Sequence, residues 1–411
     1  MADGYLSRLR EAREEAYSTP IDQIDVSLGE RFRDDTIWPF FERLRHEAPV
    51  HYAAESRFGP YWSITRYHDI MQVDTNPAVF SSEGGVAISD QDDGFQLENF
   101  ISMDPPRHDA QRKVISPAVA PSRLEAMEPI IRARAGKILD ELPIGETFDW
   151  VDRVSIELTT QMLATLFDVP FEERRKLTRW SDLATTGMGD EAVRAELRDC
   201  AAYFQTLWDA RAGQAPAGDL ISMLAHGEAT RDMPPMEFLG NILLLIVGGN
   251  DTTRNSITGG LVALSENPEQ YARLRADPGL VASMTPEIIR WQSPIAHMRR
   301  RALIDTEFGG QLIRKGDKVV MWYVSGNRDE TAIDRPDDFI IDRERPRQHL
   351  SFGFGIHRCV GNRLAEMQLR IVWEEILRRF PLIEVVGEPV RAKSCLLRAY
   401  RGLPVRIPAR R

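Results

Sequence analysis

Cysteine is scarce in this chain: three residues in 411, Cys200, Cys359 and Cys395, with no Cys-x-x-Cys pair among them. That excludes a disulfide framework and fits a reducing compartment. The eight histidines never fall at His-x-x-x-His or His-Glu-x-x-His spacing, so no helix turn offers two imidazoles to zinc. Long apolar runs are missing too. The segment Met1 to Tyr17 is charged and mildly amphipathic, without the basic-then-apolar order of a signal peptide. A cytoplasmic protein with no membrane insertion is expected. Positive charge is in deficit, 52 Lys and Arg against 62 Asp and Glu for a net charge of −10, which argues against a general nucleic-acid binder. Small molecules and protein partners remain. The glycine-rich run Gly353 to Arg358 has Arg358 where a dinucleotide fingerprint needs its third glycine, so no built-in flavin or nicotinamide domain is indicated. Nothing reads as a linker, a repeat or a low-complexity tract, and one large domain over residues 1–411 is expected.

What is present is mostly helical periodicity. Glu125 to Leu142, Val154 to Phe167, Glu191 to Ala212, Pro235 to Ser265 and Arg363 to Arg379 carry apolar residues at three- and four-residue spacing. Strand patterning is confined to Val50 to Thr65, Ala302 to Val324 and Glu384 to Ile407, broken by turns at Gly309-Gly310 and Lys315-Gly316. A mainly α fold with small peripheral sheets follows. Gln91 to Gly94 forms a compact acidic polar patch inside a loop, a candidate mobile segment.

The strongest chemistry lies at Phe352-Gly353-Phe354-Gly355-Ile356-His357-Arg358-Cys359-Val360-Gly361, just before a well-patterned helix. Gly353 and Gly355 allow backbone angles that other residues resist and let the loop approach a flat ligand closely. Cys359 stands at the start of the helix running to Arg379, where free N–H groups and the helix dipole favour a thiolate. A buried structural cysteine after a glycine-rich turn is the competing reading. These residues resemble the cysteine-loop signature of the cytochrome P-450 superfamily, with Phe352, Gly353, Gly355, Cys359 and Gly361 at its defining positions. The resemblance implies haem b (iron protoporphyrin IX), Cys359 as axial iron ligand, a large triangular helical domain, and insertion of one oxygen atom from O₂ into an organic substrate.

Further resemblances are spread along the chain. Gly248-Gly249-Asn250-Asp251-Thr252-Thr253 is similar to the family's oxygen-activation motif. Its glycines leave a groove, the Thr hydroxyl can bond a carbonyl of the preceding turn, and Asp251 beside Thr252 makes a short proton relay. Glu287 and Arg290, with Arg343, resemble the family's buried ion triad, a structural element; Glu42/Arg45, Glu172/Arg175, Glu344/Arg347 and Glu375/Arg378 share the spacing and read as exposed pairs. His108 and Arg112, together with Arg300 and His357, resemble the donors that hold the two haem propionates.

With no reductase domain of its own, the chain is expected to draw electrons from a separate ferredoxin (iron–sulfur) donor and its reductase, ultimately from NAD(P)H. Arg107, Lys113, Arg347, Arg358 and Arg363 form a candidate basic docking patch. Leu244, Val247, Gly248, Ile295 and Leu397 are the expected substrate-facing residues, an apolar set that selects by shape. Phe100 to Pro121, Ile246 to Gly260 and His349 to Trp373 look most like the soluble bacterial terminal hydroxylases of alkanes and fatty acids, with a cyclic or terpenoid hydrocarbon as the alternative. A peroxide-driven peroxygenase or a silent haem-binding protein would have less use for the Asp251/Thr252 pair. Val86 to Ile101 and the loop at Gly187-Met188-Gly189 are expected to gauge substrate length.

Overall fold

The computed structural model describes residues 2–91, 95–186 and 190–411. Helices dominate it, as their periodicity predicts. The longest, Pro235–Glu266, runs 32 residues and about 48 Å. It opens with Pro235 at its first turn, where the missing N–H costs nothing. Glu191–Ala212 agrees with the sequence expectation at both ends because Asp190 caps it, its carboxylate accepting the Ala192 N–H at 2.9 Å. The helix expected from Glu125 to Leu142 instead spans Pro121–Asp140. Its start is an N1 proline after extended Ala120, a signal that lies ahead of the apolar periodicity.

The central helix Pro235–Glu266 is shared by two apolar clusters. Its C-terminal half, through Ile257, Leu261 and Leu264, meets helices Pro121–Asp140, Val281–Gln292 and Asn362–Arg379. Its N-terminal half, through Leu239, Ile242, Leu243 and Ile246, meets Phe95, Phe100, Phe167, Trp180 and Phe204. The small-residue stretch at Gly248-Gly249 falls between them.

The sheets are peripheral. The largest has five strands in the order Val50–Ala53, Tyr61–Ile64, Lys318–Met321, Met298–Ala302 and Phe80–Ser81. Tyr61–Ile64 pairs Lys318–Met321 in parallel, and the other pairs are antiparallel. The hairpin Thr306–Phe308 with Gln311–Ile313 turns on Gly309 and Gly310, whose φ values of 55° and 76° suit a two-residue turn. Two strand boundaries differ from expectation. The second region starts at Met298, four residues before Ala302, because three consecutive arginines mask its alternation, and Tyr323–Gly326 is a helical turn. Of the expected mobile patch, Gln91 accepts the Leu97 N–H at 2.6 Å, while residues 92–94 lie outside the described residues. Gly187-Met188-Gly189 does likewise.

Candidate functional site

Cys359 precedes the helix Asn362–Arg379 by two residues, with Gly361 as the N-cap. Its N–H donates to the Phe352 carbonyl at 2.8 Å, closing the loop on itself. Gly353 and Gly355 take φ of 65° and 63°, the left-handed region, and a side chain at Gly355 would meet the Asp74 carbonyl 2.6 Å from its Cβ. Both positions therefore require glycine. The side chain of Cys359 is accessible, whereas Cys200 and Cys395 are buried. Yet burial is the main influence on its thiol, pushing the pKa up against the Gly361 N–H and the charges of Arg112 and Arg358, which favour the thiolate. A sulfur both accessible and surrounded by protein faces an internal space.

Val360, next to Cys359, and Leu244 pack on one cluster. Along the central helix Leu244, Val247, Gly248 and Thr252, at i, i+3, i+4 and i+8, are incompletely covered, while Ile242, Leu243 and Ile246 are buried. A Cβ at Gly248 would meet no atom within 4 Å. Ile295 and Leu397 are bridged to one another.

Asp251 is fully buried. Its Oδ1 pairs with Arg254 at 2.9 Å, and Arg254 reaches on to Asp182 at 2.6 Å, which in turn meets Arg401 at 3.1 Å near the surface. Oδ2 has the Ser181 hydroxyl close enough to favour its charged form, without a well-formed hydrogen bond. Burial pushes the Asp251 carboxyl up to about 6, opposed by Arg254. Thr252 donates from Oγ1 to the Gly248 carbonyl at 2.7 Å, the back-bond its type and spacing predict.

His108 and Arg112, one helix turn apart on Arg107–Ile115, come together with Arg300 and His357 from two other segments. The His108 and His357 rings meet edge to face, 4.3 Å between centroids. Burial drives the His357 pKa far down, helped by Arg300, His108 and Arg112. Arg112 donates to the Arg358 carbonyl beside Cys359. Arg300 lies inside the strand Met298–Ala302 and is buried with Asp74 at 2.7 Å. Arg299, next to it, turns instead to Asp90 at 2.6 Å. His108 Nε2 and His357 Nδ1 are buried without a hydrogen-bond partner. Two guanidiniums, with His357 Nδ1 donating when its Nε2 accepts from Ser82 and His108 Nε2 donating as an imidazolium beside Asp109, suit an anion with several acceptor oxygens. These residues fit a haem with its propionates.

Glu287 and Arg290 are fully buried and joined by two bonds of 2.8 Å, and Arg343 adds one of 2.9 Å to Glu287. Arg290 also donates to the Asn327 and Pro336 carbonyls, so the triad pins the loops before Cys359. Several readings of charge need correction. Arg45 is buried and pairs with Glu330, while Glu42 pairs with Arg13. Glu375 is buried and gathers Arg132, Arg378 and Arg379, because a second helix crosses over it. Arg107 is engaged by Glu98 and buried Glu237 and is not a free docking cation. Arg347 likewise pairs with Glu366 at 2.8 Å. Lys113, Arg358 and Arg363 are exposed.

Three residues that motif reading missed belong here. Ser82 sits 2.9 Å from His357 Nε2, Asp74 anchors the cysteine loop, and Asp182 links Arg254 to Arg401. None has a local signal, since each acts on a segment distant in sequence.

The sequence model for cytochrome P-450 matches residues 209–398. Linalool 8-monooxygenase of Pseudomonas putida is 39% identical over 89% of this chain and 94% of its own. The chain belongs to the cytochrome P-450 family. Among solved structures, CYP153D17 from Sphingomonas sp. PAMC 26605 is 48% identical with a TM-score of 0.89, covering 94% of this chain and all (100%) of that one. CYP268A2 of Mycobacterium marinum, in complex with pseudoionone, is 32% identical with a TM-score of 0.87 over 94% and 99%. This cytochrome P-450 is therefore a monooxygenase with a haem-thiolate cofactor, on a mainly helical fold. No helix among the described residues is long and apolar enough to cross a membrane.

Proposed function

We propose that this cytochrome P-450, acting as a single domain in the cytoplasm, hydroxylates the terminal carbon of medium-chain alkanes or fatty acids. Electrons come from NAD(P)H through a reductase and a ferredoxin. The observation that carries the substrate class is the incompletely covered stripe of Leu244, Val247 and Gly248 on the central helix, whose Leu244 packs on the same apolar cluster as Val360, next to Cys359. With Ile295 and Leu397, the five carry no charge or hydrogen-bonding side chain, so they select by shape and favour a saturated chain. When bound, the haem supplies reductive activation of O₂ and insertion of one oxygen atom into a C–H bond.

The chain's own residues then have separable tasks. Cys359 would hold the haem iron through its thiolate, with Phe352, Gly353 and Gly361 shaping its loop and the Gly361 N–H favouring the thiolate. His108, Arg112, Arg300 and His357 hold the propionates. Asp251, with a pKa of about 6, exchanges its proton near neutrality, and Thr252 passes protons at Oγ1. Lys113, Arg358 and Arg363 offer the exposed positive charge for an acidic ferredoxin.

A second reading has support of its own. Linalool is an open-chain terpenoid whose carbon 8 is a terminal methyl, so the relative of that name favours attack on a chain end in a branched hydrocarbon. The deciding experiment is the carbon-monoxide difference spectrum of the reduced protein, followed by titration with linear alkanes, fatty acids, linalool and a cyclic terpene. A red-shifted Soret band with a spin shift that depends on chain length supports the first reading. A shift from linalool alone supports the second, and no red-shifted band in haem-loaded protein rejects Cys359 as ligand.

A further inference from the structure

Asp74 ends the helix Tyr67–Asp74 and is 3% exposed. A carboxylate withdrawn from water persists only where charges and hydrogen bonds replace its hydration. Here three donors from three segments do so. Oδ1 accepts from Arg300 Nη2 at 2.7 Å. Oδ2 accepts from the Phe354 N–H at 2.7 Å and from the Tyr323 O–H at 3.0 Å. Phe354 lies between Gly353 and Gly355, and both glycines are moulded on the same residue. A Cβ at Gly353 would come 3.3 Å from Asp74 Oδ2, and one at Gly355 would come 2.6 Å from the Asp74 carbonyl oxygen.

We propose that Asp74 is a positioning residue for the cofactor, a single carboxylate that locks the propionate cation Arg300 to the backbone of the loop carrying Cys359. The inference rests on the haem-thiolate reading of that loop. The rim of the cofactor and its axial ligand are thereby held in register by one group, so neither shifts without the other. The same negative charge offsets Arg300. Removing it leaves an uncompensated cation beside the site, which makes acceptance of an electron by the cofactor more favourable.

Two substitutions separate position from charge. Asp74→Asn keeps an oxygen for the Phe354 N–H but removes the charge and the acceptor for Arg300, whereas Asp74→Ala removes the loop anchor as well. In haem-loaded Asp74→Asn the red-shifted carbon-monoxide band is retained, the midpoint potential moves positive, and haem transfers to excess apomyoglobin about ten-fold faster. In Asp74→Ala the segment 350–361 also exchanges its amide hydrogens faster, in haem-loaded and haem-free protein alike. An Asn variant equal to the parent in both potential and haem transfer overturns the proposal, even if its thermal stability has fallen. So does an Ala variant whose loop exchange is unchanged. The underlying reading is tested apart from this by Cys359→Ser: a red-shifted band in that variant removes the axial assignment, while the loop-exchange result on Asp74 stands on its own.

Discussion

Replacing Asp251 with Asn isolates the cost of keeping a relay acid in the core. The carboxyl titrates at 3.8 when free and at about 6 in the fold, raised by burial despite Arg254. The fold thus prefers the protonated form. Its contribution to stability is complete below pH 3.8, and it is lost as pH rises through 6, above which the protein carries an ionised buried carboxylate. The full difference is about 3 kcal/mol, at about 1.4 kcal/mol for each pH unit. Asn mimics the protonated acid and does not titrate. Its stability relative to the parent should therefore grow by about 1.4 kcal/mol between pH 5 and pH 8, or about 2 °C in Tm for a chain of this length. Thermal unfolding of both haem-loaded proteins by circular dichroism across that range is the assay. A difference in Tm that does not change with pH, or one that shrinks as pH rises, refutes the argument. Turnover should move the other way, slowed in the variant because Asn cannot release the proton.

Other substitutions probe the remaining parts. Cys359→Ala should abolish the red-shifted carbon-monoxide band while the helical circular dichroism persists. Thr252→Ala should leave haem bound and divert reducing equivalents to hydrogen peroxide, read as a falling ratio of product to oxygen consumed; unchanged coupling would remove Thr252 from the relay. Glu287→Gln leaves Arg290 buried without its counter-charge and should cost about 3–5 kcal/mol in a urea titration. Gly248→Val directs its side chain into open space, so the fold should tolerate it, while spin-shift titrations should show weaker binding of long chains.

How much was legible follows from where each signal resides. The central helix and Glu191–Ala212 could be read because amphipathic periodicity and caps are local properties. The cysteine loop could be read because Gly353 and Gly355 meet a backbone requirement that only a few residue types satisfy. Asp74 could not: it is an ordinary acid at a helix end, and its partner Arg300 is 226 residues away. The same holds for Asp182, whose link to Arg401 spans 219 residues. Arg107 was misread because exposed basic charge and charge neutralised by a buried acid look alike in sequence. The strand at Met298 was missed because alternation cannot be seen through three arginines when two of them, Arg299 and Arg300, are buried against acids.

The two partnerless imidazole nitrogens, His108 Nε2 and His357 Nδ1, bear on the life of the protein before it works. Each buried polar atom without a bond costs about 1–3 kcal/mol, a large part of the margin by which a typical domain stays folded. A haem whose propionates complete those bonds adds its binding free energy to the fold, so the melting temperature should rise with haem concentration.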